Sequence, residues 1–150
     1  MAKKQVAKTI ENKLLNSTGL IIPLSFLVLL AVNFLVVSLT NMLFPGEVVL
    51  GTAAITRTWA LLYSMFVLSL LNVFMIPVVH YHESIRGRMY SSKEWMLAYF
   101  VVNFLGLWLI SRLADNLGLG ISAWWVALLL AAALDWAQGL AIMALSKLTS

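Results

Sequence analysis

The residues best suited to chemistry in this sequence are polar side chains that lie well inside apolar stretches. Four stretches are long enough to cross a bilayer, and each has an amide or a carboxylate well inside it: Asn33, Asn72, Asn103 and Asp135. A polar side chain in hydrocarbon is costly, so we expect these four side chains to face one another or a shared pathway. Amides can hydrogen-bond between helices, and an intramembrane carboxylate can bind a proton or a cation. The pattern predicts a polar interior in a membrane-spanning bundle.

Asp135 has the most demanding environment of the four. An aspartate at the centre of a membrane helix costs about 2.5–3.5 kcal/mol on insertion scales. The apolar residues of its span return only about 0.3–0.6 kcal/mol each. We therefore expect its carboxylate to take hydrogen bonds from asparagine amides or to hold a proton. Gln138 lies on the same helical face and completes the predicted cluster, which is either a proton or cation site or a polar clasp that fixes helix register.

A stripe of small residues marks another face of the same span. Ala133, Ala137 and Ala141 recur every four residues, away from Asp135. Small residues at this spacing allow two helix backbones to approach closely. We expect this face to be a helix-packing or oligomer face, used within the bundle, by a second copy of the chain or by another membrane protein.

The composition identifies lipid as the solvent. Of the 150 residues, 62% are hydrophobic and 11% are charged, whereas soluble domains carry roughly 25% charged residues. There is no cysteine, which excludes disulfides, thiolate nucleophiles and thiol-ligated metals. The predicted fold class is all-α, an integral membrane four-helix bundle whose first partner is the lipid bilayer.

Apolar length divides the chain into two parts. Residues 1–18 are polar and basic, and residues 19–150 form the predicted membrane domain, with spans at about 20–44, 58–79, 95–111 and 122–145. At 1.5 Å per residue the first span reaches roughly 37 Å. That length exceeds a hydrocarbon core of about 30 Å, so the span can cross with some tilt.

The basic residues predict orientation. Eight of the ten Lys and Arg residues lie in the N-terminal flank, in residues 80–94 and in the C-terminal tail. Positively charged loops stay inside, so we expect both termini in the cytoplasm and the protein in the inner (cell) membrane. The basic N-terminus is expected to contact anionic lipid headgroups, either as an amphipathic helix or as a charged flank that only fixes orientation. No basic face with interleaved aromatics lies outside the spans, so nucleic acid is not an expected partner.

Two local matches indicate an internal repeat. The run Val32–Leu35 recurs as Val102–Leu105, 70 positions later (33 to 103). Ala60-Leu61-Leu62 recurs as Ala127-Leu128-Leu129, 67 positions later (60 to 127). Both matches relate one helical hairpin to the next in the same orientation, which predicts two parallel-related hairpins.

His80, His82 and Glu83 are the residues outside the predicted spans that most resemble a reactive group. We place them in a short loop after the second span. Positions two apart point in nearly opposite directions on a helix, and the sequence has only these two histidines. We therefore expect no metal site and no cofactor. The connections are too short for a soluble active site, so the chain is not expected to be an enzyme.

Four short sequence segments together define the arrangement of the predicted spans and their connections. They are the apolar connection 44–52, the run Leu70–Val73, the stretch Trp95–Trp108 and the pair Asp135-Trp136, within residues 20–145. This layout resembles the small four-helix, phage-holin-like membrane proteins of bacteria. The resemblance implies self-association in the inner membrane and, for true holins, permeabilisation that releases lytic enzymes. It implies no catalytic residues.

Three functions follow as hypotheses. The leading one is a holin-like, self-associating bundle whose polar seam contributes to an interface, a membrane lesion or a pore. The second is a small ion or solute channel or transporter that uses Asp135 as its ion-coupling group. The third is a non-catalytic scaffold or accessory subunit that binds another membrane protein.

Overall fold

The computed structural model describes residues 2–149, and the side chains of residues 19–148. The chain forms five helices and two short strands: α1 (Ala2–Leu43), β1 (Val48–Leu50), α2 (Arg57–Arg86), α3 (Ser92–Arg112), α4 (Ala114–Leu117), β2 (Leu119–Ile121) and α5 (Trp124–Thr149). The predicted all-α class is confirmed. Four of these helices, α1, α2, α3 and α5, are long and apolar enough to cross a membrane, which is the pattern of a multi-pass membrane protein.

Helix α1 is much longer than a bilayer requires. Its 42 residues would extend about 63 Å, roughly twice the thickness of the hydrocarbon core. The backbone of residues 2–18 is helical and continuous with the apolar part of α1. The side chains by which residues 1–18 would contact anionic headgroups lie outside those that the structure describes.

Helix α2 extends beyond the predicted second span, which ended near residue 79. It continues to Arg86, so Pro77 lies inside the helix rather than in its last turn. His80, His82 and Glu83 are therefore helical, and their placement in a loop is wrong. Gly87 ends the helix in a left-handed conformation, with its N–H donated to the Glu83 carbonyl at 2.9 Å. Hydropathy predicts where the apolar segment ends, whereas the Gly87 cap determines where the helix itself ends.

A capping box starts the next helix immediately afterwards. The Ser91 hydroxyl accepts from the Glu94 N–H at 3.3 Å, and the Glu94 carboxylate accepts from the Ser91 N–H at 2.8 Å. Arg86 and Arg88 also form ion pairs with Glu94. The connection between α2 and α3 is thus short and held by side chains from both helices.

The four long helices form a ring in the order α1, α2, α3, α5, in which each helix contacts its two neighbours. The core between them contains large buried side chains, among them Leu29, Met65, Leu68, Leu107 and Leu134. Many other apolar side chains remain exposed, as expected of helices whose outer faces contact lipid.

A two-stranded sheet closes one end of the ring, which we call the sheet end. Strands β1 and β2 pair antiparallel, with Val49 opposite Gly120. The Gly51 N–H donates to the Gly118 carbonyl at 2.8 Å, which extends the link between the two loops. We call the opposite end, which contains residues 80–94 and the C-terminus of α5, the basic end.

The helix contacts and the burial pattern relate the two hairpins as a pseudo-two-fold axis along the bundle would. Exchanging α1 with α3 and α2 with α5 reproduces all four contacting pairs of the ring. Buried Asn33 and Val37 correspond to buried Asn103 and Leu107 at an offset of 70 (33 to 103). The burial pattern of α2 matches α5 at an offset of 66, one residue from the sequence match: Ala60, Leu61, Leu68 and Asn72 correspond to Val126, Ala127, Leu134 and Gln138.

Candidate functional site

A layer of hydrogen-bonded polar side chains, three amides and one hydroxyl, crosses the centre of the bundle. It contains one side chain from each long helix, Asn33, Ser69, Asn103 and Gln138, and all four are buried. The position follows from the buried faces of the helices, since each of these residues lies among apolar core side chains on its own helix. We call this group the amide layer.

Gln138 is the centre of the amide layer. Its Nε2 donates to the Asn33 Oδ1 at 2.6 Å and to the Asn103 Oδ1 at 3.3 Å, and its Oε1 accepts from the Asn103 Nδ2 at 2.8 Å. The Asn33 Nδ2 in turn donates to the Ser69 hydroxyl at 3.0 Å. These bonds satisfy polar groups that could not be hydrated inside the bundle, and they hold all four helices at one level.

Asn72 is buried but does not join the amide layer. Neither its Oδ1 nor its Nδ2 has a hydrogen-bond partner among the described residues, although its side chain is 0% exposed. Its position corresponds to that of Gln138 under the pseudo-two-fold axis, but its side chain is one methylene shorter. Of the three predicted asparagines, the structure brings Asn33 and Asn103 together through Gln138 and leaves Asn72 apart.

Asp135 lies beside the amide layer and lines a cavity of about 340 Å³. Its carboxylate is half-buried, and no hydrogen bond from residues 19–148 reaches it. The expected hydrogen bonds from asparagine amides are therefore not formed, because the amides of Asn33 and Asn103 are engaged by Ser69 and Gln138. Under the pseudo-two-fold axis Asp135 occupies the position that Ser69 occupies in the first hairpin. We call this space the acidic cavity.

The walls of the acidic cavity come from all four long helices. Its lining residues are Ile21, Ser25, Leu29, Ile76, Trp95, Met96, Tyr99, Asp135, Gln138, Gly139 and Ile142. Trp95 is in the first turn of α3 and Ile142 is near the end of α5, so the cavity lies in the half of the bundle towards the basic end. Gln138 belongs both to the cavity wall and to the amide layer, which places the layer at the inner end of the cavity.

Aromatic rings border the acidic cavity near the basic end. The rings of Trp95 and Tyr99 are stacked, with centroids 5.9 Å apart. Trp95 also makes edge contacts with His80 at 5.8 Å and with Tyr90 at 6.2 Å. These contacts fix the Trp95 ring, so the aromatic surface of the cavity is preformed.

The alanine stripe is not covered by the bundle's own helices. Ala133 is exposed and lines an outer groove of about 410 Å³ between α1 and α5, together with Thr40 and Trp125. Ala137 and Ala141 are partly exposed. The three residues thus lie on the outer surface of a single chain.

Two polar residues that matter to the structure were missed in the sequence. Asn41 is buried, donates to the Val48 carbonyl at 2.6 Å and accepts a hydrogen bond from the Arg57 guanidinium, so it fixes the loop that contains β1. Ser25 is buried and lines the acidic cavity. A signal was present, because Ser25, Asn33 and Asn41 are spaced by eight residues along one buried stripe of α1.

Metal ligands are sparse in the described part of the chain. Residues 19–148 contain no group of three or more His, Cys, Asp or Glu side chains that could hold a metal ion. His80 instead pairs with Glu83 at 2.8 Å, and His82 contacts the Tyr90 hydroxyl at 2.8 Å. These contacts hold the connection between α2 and α3.

No protein-family model, curated protein or solved structure matches the chain. The amide layer, the acidic cavity and the outer alanine stripe are therefore the features that distinguish one function from another.

Proposed function

We propose that this multi-pass membrane protein is a small channel or transporter in which Asp135 binds the transported cation or a coupling proton. The observation that carries the proposal is a carboxylate that is half-exposed to a cavity inside the bundle and receives no hydrogen bond from the described residues. An ionisable group at membrane depth is costly and is typical of ion and proton pathways. If Asp135 only fixed the helix register, its carboxylate would be hydrogen-bonded within the amide layer, and it is not.

The depth of Asp135 supports the proposal. It lies eleven residues into α5 (124 to 135), or about 17 Å from the start of that helix. This distance is close to half the hydrocarbon thickness of about 30 Å. A cation bound there would have crossed roughly half of the barrier.

The amide layer supplies the barrier on the inner side of the cavity. Its four side chains are hydrogen-bonded to one another and fill the centre of the ring. The residues that line the acidic cavity lie in the basic half of the bundle, and the amide layer separates them from the sheet end. Transport then requires the bonds of Gln138 to rearrange, which makes Gln138 the proposed gate residue.

We also propose that the acidic cavity is a binding site and not an enzyme active site. Among the described residues that line the cavity beside Asp135 there is no histidine, lysine or second carboxylate that could activate the hydroxyls of Ser25 and Tyr99. Bond-breaking chemistry needs a group of positioned acids, bases or nucleophiles. A single carboxylate in an apolar cavity suits binding and release.

The test is flux through proteoliposomes that contain the full-length protein. We expect Asp135→Asn to lower voltage-driven proton uptake, measured with an internal pH-sensitive dye, at least tenfold. Asp115→Asn is the matched control, because Asp115 is exposed in the short helix α4 near the sheet end and its substitution should leave the flux unchanged. Equal flux in the wild type and in Asp135→Asn would exclude the proposal.

A second candidate function is holin-like self-association, which the resemblance of the sequence implies. The specific observation in its favour is the uncovered alanine stripe on α5. Since the amide layer is satisfied within one chain, association would use this outer face and not the polar centre. Helices with small residues at an interface approach closely and pack tightly in lipid.

Single-cysteine cross-linking tests self-association, because the chain contains no native cysteine. We expect oxidised membranes to give a covalent dimer with Ala137→Cys and none with Val101→Cys, which is exposed on α3. Identical yields for the two variants would indicate random collision. A strictly monomeric protein whose expression leaves membranes tight would contradict the holin-like function.

A further inference from the structure

We infer that the acidic cavity takes hydrophobic, monovalent organic cations, meaning amines or quaternary ammonium compounds with an apolar body. The inference rests on the proposed function, because it names the class of solute that binds at Asp135. It depends on four properties of the cavity: its volume, its small number of oxygen ligands, its aromatic wall, and a carboxylate with no lysine or arginine among the described lining residues.

The cavity is too large for a bare ion. A volume of about 340 Å³ lies in the range of roughly 300–1,000 Å³ that is typical of small-molecule sites. Its wall is mostly apolar, with Leu29, Ile76 and Ile142 among its residues. A solute that fills it must bury apolar surface, and a hydrated inorganic ion cannot do so.

The cavity is also poor in ligands for a hard cation. Magnesium and calcium take about six to eight oxygen ligands. The wall offers one carboxylate, from Asp135, and the hydroxyls of Ser25 and Tyr99. The Gln138 amide oxygen is already engaged by the Asn103 Nδ2 at 2.8 Å. A single carboxylate suits one monovalent charge.

The aromatic wall fits the apolar body of such a solute. Trp95 and Tyr99 are stacked and border the cavity near the basic end. Asp135 is seven residues before Ile142 on α5 (135 to 142), and is therefore about 10 Å deeper. A cation with its ammonium group at Asp135 can direct its apolar body towards Ile142 and Trp95, which lie nearer the basic end, and the aromatic rings also attract its charge.

No described lining residue balances the charge of the cavity. Within residues 19–148, none of those that line the cavity is Lys or Arg. A carboxylate in apolar surroundings without such a partner favours binding of a positive charge from outside. Charge complementarity therefore selects a cation over a neutral solute of the same shape.

The test is binding of benzyltrimethylammonium to the full-length protein in lipid nanodiscs, measured by isothermal titration calorimetry. We expect saturable binding that weakens at least tenfold in Asp135→Asn, is retained in Asp135→Glu and is unchanged in Asp115→Asn. Trp95→Leu should weaken it severalfold. The neutral carbon isostere, neopentylbenzene, should bind at least tenfold more weakly, and magnesium should not displace the cation.

The possible results distinguish failure of this inference from failure of the proposed transport function. Loss of proton flux in Asp135→Asn without any binding of benzyltrimethylammonium to the wild type would overturn this inference and leave the proposed function standing. Equal binding to the wild type and to Asp135→Asn would also overturn the inference, as partitioning into lipid. Asp135-dependent binding without flux would support the site and exclude transport. Matching thermal midpoints of wild type and variants show that the fold is intact.

Discussion

Asn72 and Gln138 occupy corresponding positions in the two hairpins, yet only one of their amides is satisfied. Gln138 makes three hydrogen bonds with Asn33 and Asn103. Asn72 makes none with the described residues, although it is equally buried. Leaving a buried amide unpaired costs about 1–3 kcal/mol. Both hairpins contribute to the amide layer, and the first also carries the energetic cost of the unpaired Asn72 amide.

This asymmetry predicts that replacing the amide with leucine has opposite effects on stability at positions 72 and 138. Asn72→Leu should raise the free energy of unfolding by about 1 kcal/mol, because it removes an unpaired amide and keeps a similar volume. The midpoint of thermal unfolding in detergent should rise by about 2–4 °C. Gln138→Leu, the matched variant, should lower it, since it leaves the Asn33 oxygen and both Asn103 amide atoms unpaired. If both variants lost stability alike, Asn72 would have a partner after all.

Sequence reasoning at this scale reached the face of each helix but not the pairing. Helical periodicity is sufficient to place Asn33, Asn103 and Gln138 towards the interior. Whether an amide reaches a partner depends on side-chain length and helix rotation, and these separate Gln138 from Asn72. The same limit explains why Asp135 was expected to bind asparagine amides that are in fact engaged by their neighbours.

The loops at the sheet end are as constrained as the helices they connect. Gly118 has a φ of +83°, and a Cβ added there would lie 2.4 Å from the Ala60 Cβ of α2. The Ser64 hydroxyl, one turn further along α2, donates to the Leu117 carbonyl at 3.1 Å. The loop between α3 and α5 therefore rests directly on the start of α2, and the close approach requires glycine at position 118.

Gly118→Ala should destabilise the protein by about 2 kcal/mol or more. A left-handed conformation costs a non-glycine residue about 1–2 kcal/mol, and the clash with Ala60 adds to that cost. Gly87→Ala separates the two causes, because Gly87 also has a positive φ of +67° but nothing within 4 Å of an added Cβ. Thermal unfolding of both variants measures the difference. Equal losses would mean that the loop does not rest on α2 in the membrane.

At the scale of the molecule, the sheet and the basic residues lie at opposite ends. The ring places residues 80–94 and the C-terminus of α5 together, away from β1 and β2. Of the charged residues at the sheet end, only Arg57 and Arg112 are basic. The positive-inside rule then favours a cytoplasmic basic end and a sheet on the far side of the membrane.

A cysteine pair tests the sheet and the orientation together. A Cβ added at Gly120 would lie 3.8 Å from the Val49 Cβ, which is close to the mean separation of about 3.8 Å in disulfides. We expect Val49→Cys/Gly120→Cys to form a disulfide in living cells without added oxidant, because the far side of the membrane is oxidising. Mass spectrometry under non-reducing conditions detects it, and the two single variants are controls.

The other outcomes are equally informative. A pair that oxidises only after the cytoplasmic face is exposed to oxidant would place the sheet inside and reverse the predicted topology. A pair that never oxidises would contradict the pairing of Val49 with Gly120. Free thiols in the single variants exclude cross-links to other proteins.

The span count and the hairpin repeat could be predicted from apolar length and a few repeated residues. Three features could not. The extension of α2 to Arg86 depends on the Gly87 cap and on side-chain contacts, which hydropathy does not measure. The offset of 66 between α2 and α5 is a property of packing, since leucine-rich runs match almost equally well one residue away. The sheet was missed because each strand has only three residues.

The chain passes between the two hairpins only once, through residues 87–91, where α2 meets α3. Backbone hydrogen bonds between β1 and β2 tie the hairpins again at the other end. The seam between α1 and α5 lies on the opposite side of the ring from that connection. The two hairpins are thus joined by the chain itself between α2 and α3, whereas α1 and α5 meet through side-chain packing and the hydrogen bond from Gln138 to Asn33. Ser25 and Gly139, which line the space beside Asp135, lie on the two sides of that non-covalent seam, so a rotation of one hairpin against the other would change the width of this space without stretching a chain connection.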